Sequence, residues 1–290
     1  MVIYPDDVEA TLAKLSALME LGPRQLLFHY DPTRGHGFET LRAFARLAEA
    51  YPSGTTLECV VACDGDPDAE LFGVAGMVRR AGLRLDAIAA SPSVDRQSTP
   101  PGSAWPPCPP LEDVYAAARR AFPDIRLGGG MFSYFTELNR KRVPAGQLDF
   151  ITHCTCPIVH AADDLSIMQS LEALPFITQS ARSIFGAKPY RIGPSTIAMR
   201  QNPYGGATKD NPDGQRIAMA NSDPRHAGQF AAAWAIGYAS RVASAGLEVL
   251  TPSSFTGSFG LVASSGEPAA GGALRSLFHG WRSGVAPAGR

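Results

Sequence analysis

The chain reads as an α/β protein whose strands close into a (β/α)8 barrel of the TIM type, and three observations carry that reading. Short apolar runs rich in β-formers alternate with stretches of helical periodicity through six or seven β-then-α units. No internal antiparallel hairpin interrupts them, so successive strands run parallel and are joined by crossover helices. The third observation separates a closed barrel from an open sheet. The turn after the first apolar strand, Asp-Pro-Thr-Arg-Gly-His-Gly (31–37), lacks the glycine spacing with which an open nucleotide-binding sheet cradles a phosphate. Gly128-Gly129-Gly130 opens no helix directly, so it is no phosphate motif either.

The elements follow in order. Asp6 or Asp7 is placed to cap a helix whose apolar residues Val8, Leu12, Leu15, Leu18 and Met19 recur at helical spacing up to Gly22-Pro23. Gln25–Tyr30 reads as a strand and Phe38–Ala50 as an amphipathic helix. Residues 56–63 form a strand, 68–81 a helix and 83–90 a strand. A proline-rich loop leads to a helix over Leu111–Ala121, then to strands at 124–128 and 148–153 and a helix over 165–174. A sixth strand spans 190–197, a long helix 225–244 and a seventh strand 247–250. Residues 259–263 offer a weak eighth strand and 272–281 a closing helix, so the barrel reads as incomplete at its termini. Three long loops, 91–110, 129–146 and 200–224, leave the carboxyl ends of strands, where barrel enzymes build their sites. Prolines stiffen the first, which would carry Trp105 over the mouth as a wall or serve as a plain connector.

The net charge of −1 gives no electrostatic case for nucleic acid or an anionic membrane surface. Charged residues are only 18%, and plentiful Gly and Pro point to structured loops, because no stretch is repetitive enough to read as disordered. The five cysteines are odd in number and mostly lie in apolar runs, so they read as reduced thiols of a cytoplasmic protein. No secretory signal precedes Tyr4-Pro5-Asp6-Asp7, and no apolar run is long enough to cross a bilayer.

Chemistry concentrates between residues 124 and 164. Glu137, beyond the fourth apolar strand beside Tyr134 and Asn139, is the leading acid, base or nucleophile, with a helix-start carboxylate as its plain alternative. His153, by alternation, would point into the barrel mouth with Thr155 on the same face, unless it is a buried core histidine. His160 stands before Asp163 and Asp164, one of which is a helix N-cap while the other is placed to orient the imidazole. Cys154-Thr155-Cys156 lacks zinc spacing, so neither a metal nor another cofactor is expected. Arg200 is a candidate clamp for a carboxylate or oxyanion, and Ser195 and Asn202 for hydroxyls. Asp31 and Asp64 are explained by their turns, and Glu248 sits at the wrong end of its strand for catalysis.

Four segments together, Gly-Gly-Gly-Met-Phe-Ser-Tyr-Phe-Thr-Glu-Leu-Asn-Arg (128–140), His-Cys-Thr-Cys-Pro-Ile-Val-His-Ala-Ala-Asp-Asp (153–164), Lys-Pro-Tyr-Arg-Ile-Gly-Pro-Ser (188–195) and Arg-Gln-Asn-Pro-Tyr-Gly (200–205), resemble the D-apionate lactonase family. The resemblance implies hydrolysis of the lactone of apionate, a branched plant sugar acid, in bacterial apiose catabolism. It also implies a glycoside-hydrolase-like barrel over 1–290 as a single catalytic domain, without the β-rich flanks of longer members. Retaining glycosidases of the largest such clan pair a carboxylate after the fourth strand with one after the seventh. Glu137 fits the first place, but Thr251 and Pro252 hold the second. One carboxylate suffices for a lactone, which needs an activated water, oxyanion stabilisation and a proton for the leaving alkoxide.

The expected assignment is therefore catalytic Glu137, His153 and His160, with Tyr134, Asn139, Thr155, Asp163, Ser195, Arg200 and Asn202 binding a sugar lactone. The alternatives are a barrel glycosidase taking its second carboxylate from Asp163, Asp31 or Asp64, and a non-catalytic carbohydrate-binding barrel.

Overall fold

Eight strands, every neighbouring pair parallel and in chain order, form one sheet in the computed structural model, which describes residues 1–262 apart from 97, 205, 206 and 227. They are β1 (Val2–Ile3), β2 (Gln25–Tyr30), β3 (Gly54–Val61), β4 (Ala87–Pro92), β5 (Arg126–Tyr134), β6 (Phe150–Thr155), β7 (Tyr190–Ser195) and β8 (Val249–Leu250). The two edges of the sheet meet: Val2 N donates to Ser253 O at 3.0 Å, and Val2 forms a parallel bridge with Ser254 just beyond β8. Sheet closure removes the exposed edges that an open sheet would have to protect.

The first strand was hidden in the sequence because two residues show no periodicity. It, and not 259–263, supplies the eighth strand. Residues 259–262 fold back on 254–255 through backbone hydrogen bonds, but they make only one β-bridge, Gly260 to Ser254, and no strand. The expected closing helix over 272–281, like residue 263, lies outside the described residues. Counting β1 moves every later strand up by one, so Glu137 follows the fifth strand and the 251–252 segment the eighth.

The helices are α1 (Val8–Ala13), α2 (Leu15–Leu21), α3 (Phe38–Ala50), α4 (Pro67–Ala81), α5 (Leu111–Ala121), α6 (Phe135–Lys141), α7 (Asp164–Gln169), α8 (Leu174–Phe185) and α9 (Gln229–Val242). They cover the outer face of the sheet, where Phe28, Leu57, Ile88, Met131, Ile151 and Ile192 pack against apolar helix residues such as Phe44, Leu71, Val114 and Trp234. The single helix expected over 165–174 is instead α7, a 3-10 turn and α8, which runs on to Phe185. Pro175 looks like a stop in sequence, but it occupies the first turn of α8, where its missing N–H costs nothing.

The loop expected over 129–146 is largely ordered. β5 continues through the triple glycine to Tyr134, and α6 follows at once. Glycine normally weakens a strand, but here the barrel interior leaves no room for side chains. A Cβ at Gly128 would fall 2.0 Å from the Phe150 ring, and one at Gly130 (φ +140) 2.0 Å from Thr152 O. Gly130→Ala therefore combines a backbone clash with a conformation that alanine avoids, and should destabilise the fold by about 3 kcal/mol or more in urea unfolding. An unchanged midpoint would mean the interior is looser than this.

Inside the barrel, Val60, Ala87, Ala89, Phe132 and Phe150 form a separate apolar cluster. Its amino-terminal end is closed by Arg191, whose guanidinium lies 3.7 Å from the Phe150 ring centre and bonds Glu248 at 2.7 Å. The opposite end stays open, and there the functional groups gather.

Candidate active site at the carboxyl end of the barrel

A cavity of about 830 Å³ opens over the carboxyl ends of β1 and β2. Tyr4, Asp6 and Asp7 line it from the segment after β1, and His29 from β2 itself. Arg34 and His36 come from the turn after β2, and Arg200, Gln201 and Asp210 from the long connection after β7. Phe259 closes one side.

Behind its inner wall, which His29 and Arg200 line, lies a charged network anchored on β3. Alternation places Glu58 on the inner face of a strand whose outer residues Leu57, Cys59 and Val61 belong to the core. Arg200 Nη2 donates to Glu58 Oε1 and Oε2 at 2.9 and 3.1 Å, and His29 Nδ1 lies 3.3 Å from Oε1. Arg200 also donates through Nε to the Tyr4 hydroxyl, and its Nη1 reaches Cys154 Sγ at 3.2 Å. Both charged side chains are nearly buried. Burial alone would raise the Glu58 carboxyl, but Arg200 first, and then His29, outweigh it and hold the group down at about 2. The same carboxylate drives Arg200 well above its ordinary value in spite of desolvation.

The ion pair also orients the His29 ring. Its Nδ1 lies between the Glu58 carboxylate, which can only accept, at 3.3 Å and Arg200 Nη2, which can only donate, at 3.5 Å. A carboxylate-held imidazole lining a water-accessible cavity is the arrangement by which hydrolases remove a proton from a nucleophile.

Of the residues expected from sequence, the structure brings only Arg200 into this cavity. Glu137 is fully buried at the start of α6, where its Oε2 accepts the Tyr134 N–H at 3.3 Å and its Oε1 lies 3.9 Å from Arg140. That is the helix-start role, not a place on the cavity wall. Tyr134 donates its hydroxyl to Gln201 O at 3.1 Å, fastening the loop after β7, and Asn139 is exposed on α6 with Oδ1 accepting from Arg142.

His153 and Thr155 do share a face of β6, but it is the outer one, because Phe150 and Thr152 occupy the interior. His153 Nδ1 donates to Cys154 O at 2.9 Å and Nε2 accepts the Tyr190 hydroxyl at 2.6 Å, so it is a satisfied core histidine. Thr155 and Ser195 bond each other at 2.9 Å and both meet the Tyr238 hydroxyl of α9, which turns them away from the mouth. His160 is exposed and stacks beside Tyr204. Neither neighbouring carboxylate serves it: Asp163 caps α7 through Ser166, and Asp164 pairs with Arg216 and Arg225. Asn202 shapes its own loop by bonding Ala207 O and Tyr204 N. Trp105 packs beneath Lys141 and is not among the residues lining the cavity.

Two buried imidazoles, His153 and His226 of the loop before α9, set an acid limit on stability. Burial lowers both His153 and His226 to about 4, and His226 Nε2 accepts the Ala198 N–H at 3.1 Å. Their folded-state values lie below the ordinary ~6.5, so the unfolded chain binds more protons between those limits. Stability is then complete above about pH 6.5 and falls as the pH drops through about 4, by roughly 2–3 kcal/mol per histidine. Melting temperatures recorded across that range should fall accordingly, and a His153→Gln variant should fall less steeply.

The network itself was missed in sequence, though a signal was present. Glu58 is the one charged residue in Thr-Thr-Leu-Glu-Cys-Val-Val, and His29 interrupts Leu-Leu-Phe-His-Tyr. An ionisable group inside an otherwise apolar parallel strand must be paired, and such groups mark functional sites. Among the described residues no three His, Cys, Asp or Glu side chains are arranged to hold a metal ion, and no helix is long and apolar enough to cross a membrane.

Comparison with known proteins gives a consistent picture. The family model described as D-apionate lactonase, TIM barrel domain, matches residues 1–289. A curated D-apionate lactonase of Brucella anthropi is 58% identical over 278 residues, covering 96% of this chain and 46% of the relative. The chain thus spans about half the length of the curated relative it matches. Among solved structures, a glycoside hydrolase family 17 β-1,3-glucanosyltransferase from Rhizomucor miehei superposes with TM-score 0.57 at 12% identity, over 92% of this chain and 95% of that one. A Ruminococcus gnavus β-glucuronidase gives 0.56 at 10% identity, over 93% and 47%. At such identities these likenesses speak for the barrel alone.

Proposed function

The chain belongs to the D-apionate lactonase family through its TIM-barrel domain, and from that premise we propose that it opens the lactone of a sugar acid, D-apionolactone, to D-apionate. The barrel would be the catalytic domain and the cytoplasm its place, in keeping with five free thiols. The observation that carries the chemistry is His29, which lines the cavity beside Arg200 with the Glu58 carboxylate behind both.

In this reading His29 Nε2 takes a proton from a water as its oxygen bonds to the lactone carbonyl carbon. The tetrahedral oxyanion then collapses with cleavage of the ring C–O bond, and the His29 imidazolium returns the proton to the departing alkoxide. The product is the hydroxy acid, whose carboxyl group ionises and releases one proton to solvent. Glu58 holds the imidazole in the working tautomer and steadies its charge, while Arg200 keeps Glu58 ionised.

The geometry speaks against a retaining glycosidase. With β1 counted, the loop after the fourth strand carries Asp95, which is buried against Lys141, and the seventh strand ends at Ser195. The two places that such enzymes give to carboxylates therefore hold no free pair. A panel of aldonolactones, apionolactone included, and chromogenic glycosides separates the readings. We expect proton release from the lactone and no chromophore from any glycoside; the reverse pattern would overturn the proposal.

A further inference from the structure

The cavity holds two histidines, His29 and His36, and the hydrogen bond of the second sets its tautomer. His29 turns Nδ1 to Glu58 and Arg200, and in the proposed reaction its Nε2 is the base. In His36, Nδ1 accepts the backbone N–H of Asp31 at 2.9 Å. A backbone N–H is a donor only, so Nδ1 must supply the lone pair and the neutral ring carries its proton on Nε2.

The turn that presents His36 is built to keep it so. Asp31 is buried, and its Oδ1 accepts both the backbone N–H and the hydroxyl of Thr33, at 3.1 and 2.6 Å. Pro32 opens the turn, and Gly35 closes it with φ +82, a conformation glycine adopts freely. The His36 ring is half-buried between the Tyr30 ring, 6.2 Å away, and the His29 ring, 6.1 Å away at 88°. One reacting centre in the cavity can therefore meet a base and a donor together.

We propose that His36 acts as a neutral N–H donor to the lactone carbonyl oxygen, and so to the oxyanion formed when water adds, and is neither the acid nor the base of the reaction. This rests on the lactone-hydrolase reading of the cavity and assigns within it the group that stabilises developing charge. The charge balance around the ring agrees. The groups facing it are His29, Asp31, Asp6 and Arg34; burial first, then His29 and Arg34, favour the uncharged ring over the opposing pull of Asp31 and Asp6, and its pKa lies below the ordinary value. Protonating Nδ1 would also set it donor against donor with the Asp31 N–H. A neutral imidazole held in this way gives a directed hydrogen bond with no proton to lose during turnover, and a preorganised donor of that kind is typically worth about 100–1000-fold in kcat.

The test combines a spectroscopic and a kinetic readout. Nitrogen-15 imidazole shifts of the wild-type chain at about pH 7 should show His36 neutral with its proton on Nε2 and His29 with its proton on Nδ1. His36→Ala should lose about 100–1000-fold in kcat on D-apionolactone with KM little changed, while His36→Gln, which keeps a side-chain N–H, should recover about 10-fold of that loss. A His36 proton on Nδ1, or a His36→Ala kcat within about threefold of an active wild type, would overturn the role alone. A wild type that turns over no lactone would overturn the lactone reading and the role with it, even with the tautomers as drawn. The wild-type spectrum decides the tautomer even if the alanine variant folds poorly.

Discussion

Arg200→Met is expected to cost the fold about 3–5 kcal/mol at neutral pH, because it strands the Glu58 carboxylate in the barrel without its partner. The methionine keeps most of the packing of the arginine stem, so the loss reports the charge. Its pH dependence identifies the cause. In the wild type the Glu58 carboxyl stands at about 2, below the ordinary ~4.3, so its stabilisation is present above about pH 4.3 and is lost as the pH falls through about 2. Without Arg200 burial opposes only the weaker pull of His29, the carboxyl rises, and the variant gains relative stability as the pH drops and Glu58 is protonated. The gap between the two proteins should therefore be largest near neutrality and narrow toward about pH 4. Adding Glu58→Gln to Arg200→Met should restore much of the stability, since it removes the stranded charge, without restoring turnover. A gap that does not change with pH would mean that Arg200 matters for packing and not for its charge.

The largest effect on catalysis should fall on the pair that handles the proton. His29→Ala removes the base and should lower kcat by about 10³–10⁴. Glu58→Gln leaves a side chain of the same shape but takes away the acceptor that fixes the imidazole tautomer, and should cost about 10²–10⁴. Because the two act as one unit, the double variant should be scarcely worse than His29→Ala alone. Additive losses in the double variant would show that Glu58 and His29 work independently, and the ion pair between them would then be structural only.

How much of this was legible in the sequence differs between scaffold and site. Helices α3 and α5 and strand β2 could be read to the residue, because local periodicity and polar boundaries define them. β1 could not, since two residues carry no pattern and their strand character comes from pairing with Leu27 and Phe28. The glycine run of β5 looked like a loop because what requires glycine there is the Phe150 ring of the next strand, a contact between distant residues. Alternation correctly grouped His153 with Thr155, but period-two counting gives two faces without saying which is inner. The neighbouring strands decide that, and Phe150 takes the interior. Arg200 was visible as a basic residue after a strand end, whereas its partner Glu58 lies mid-strand, away from the strand ends where polar clusters draw the eye. Glu137 drew attention for the opposite reason: it sits in a polar cluster at a strand end, yet its bond to the Tyr134 N–H gives it the helix-start role.

That contrast between two carboxylates can be measured on the enzyme. Proton release from D-apionolactone in weak buffer should be measured side by side for the wild type, Glu58→Gln and Glu137→Gln, each checked for folding. Release is expected from the wild type, with a loss of at least about 100-fold in Glu58→Gln and turnover within about threefold of wild type in Glu137→Gln, whose defect should appear as about 1 kcal/mol of lost stability. A folded Glu58→Gln that works normally while Glu137→Gln is silent would contradict this and move the chemistry to the start of α6.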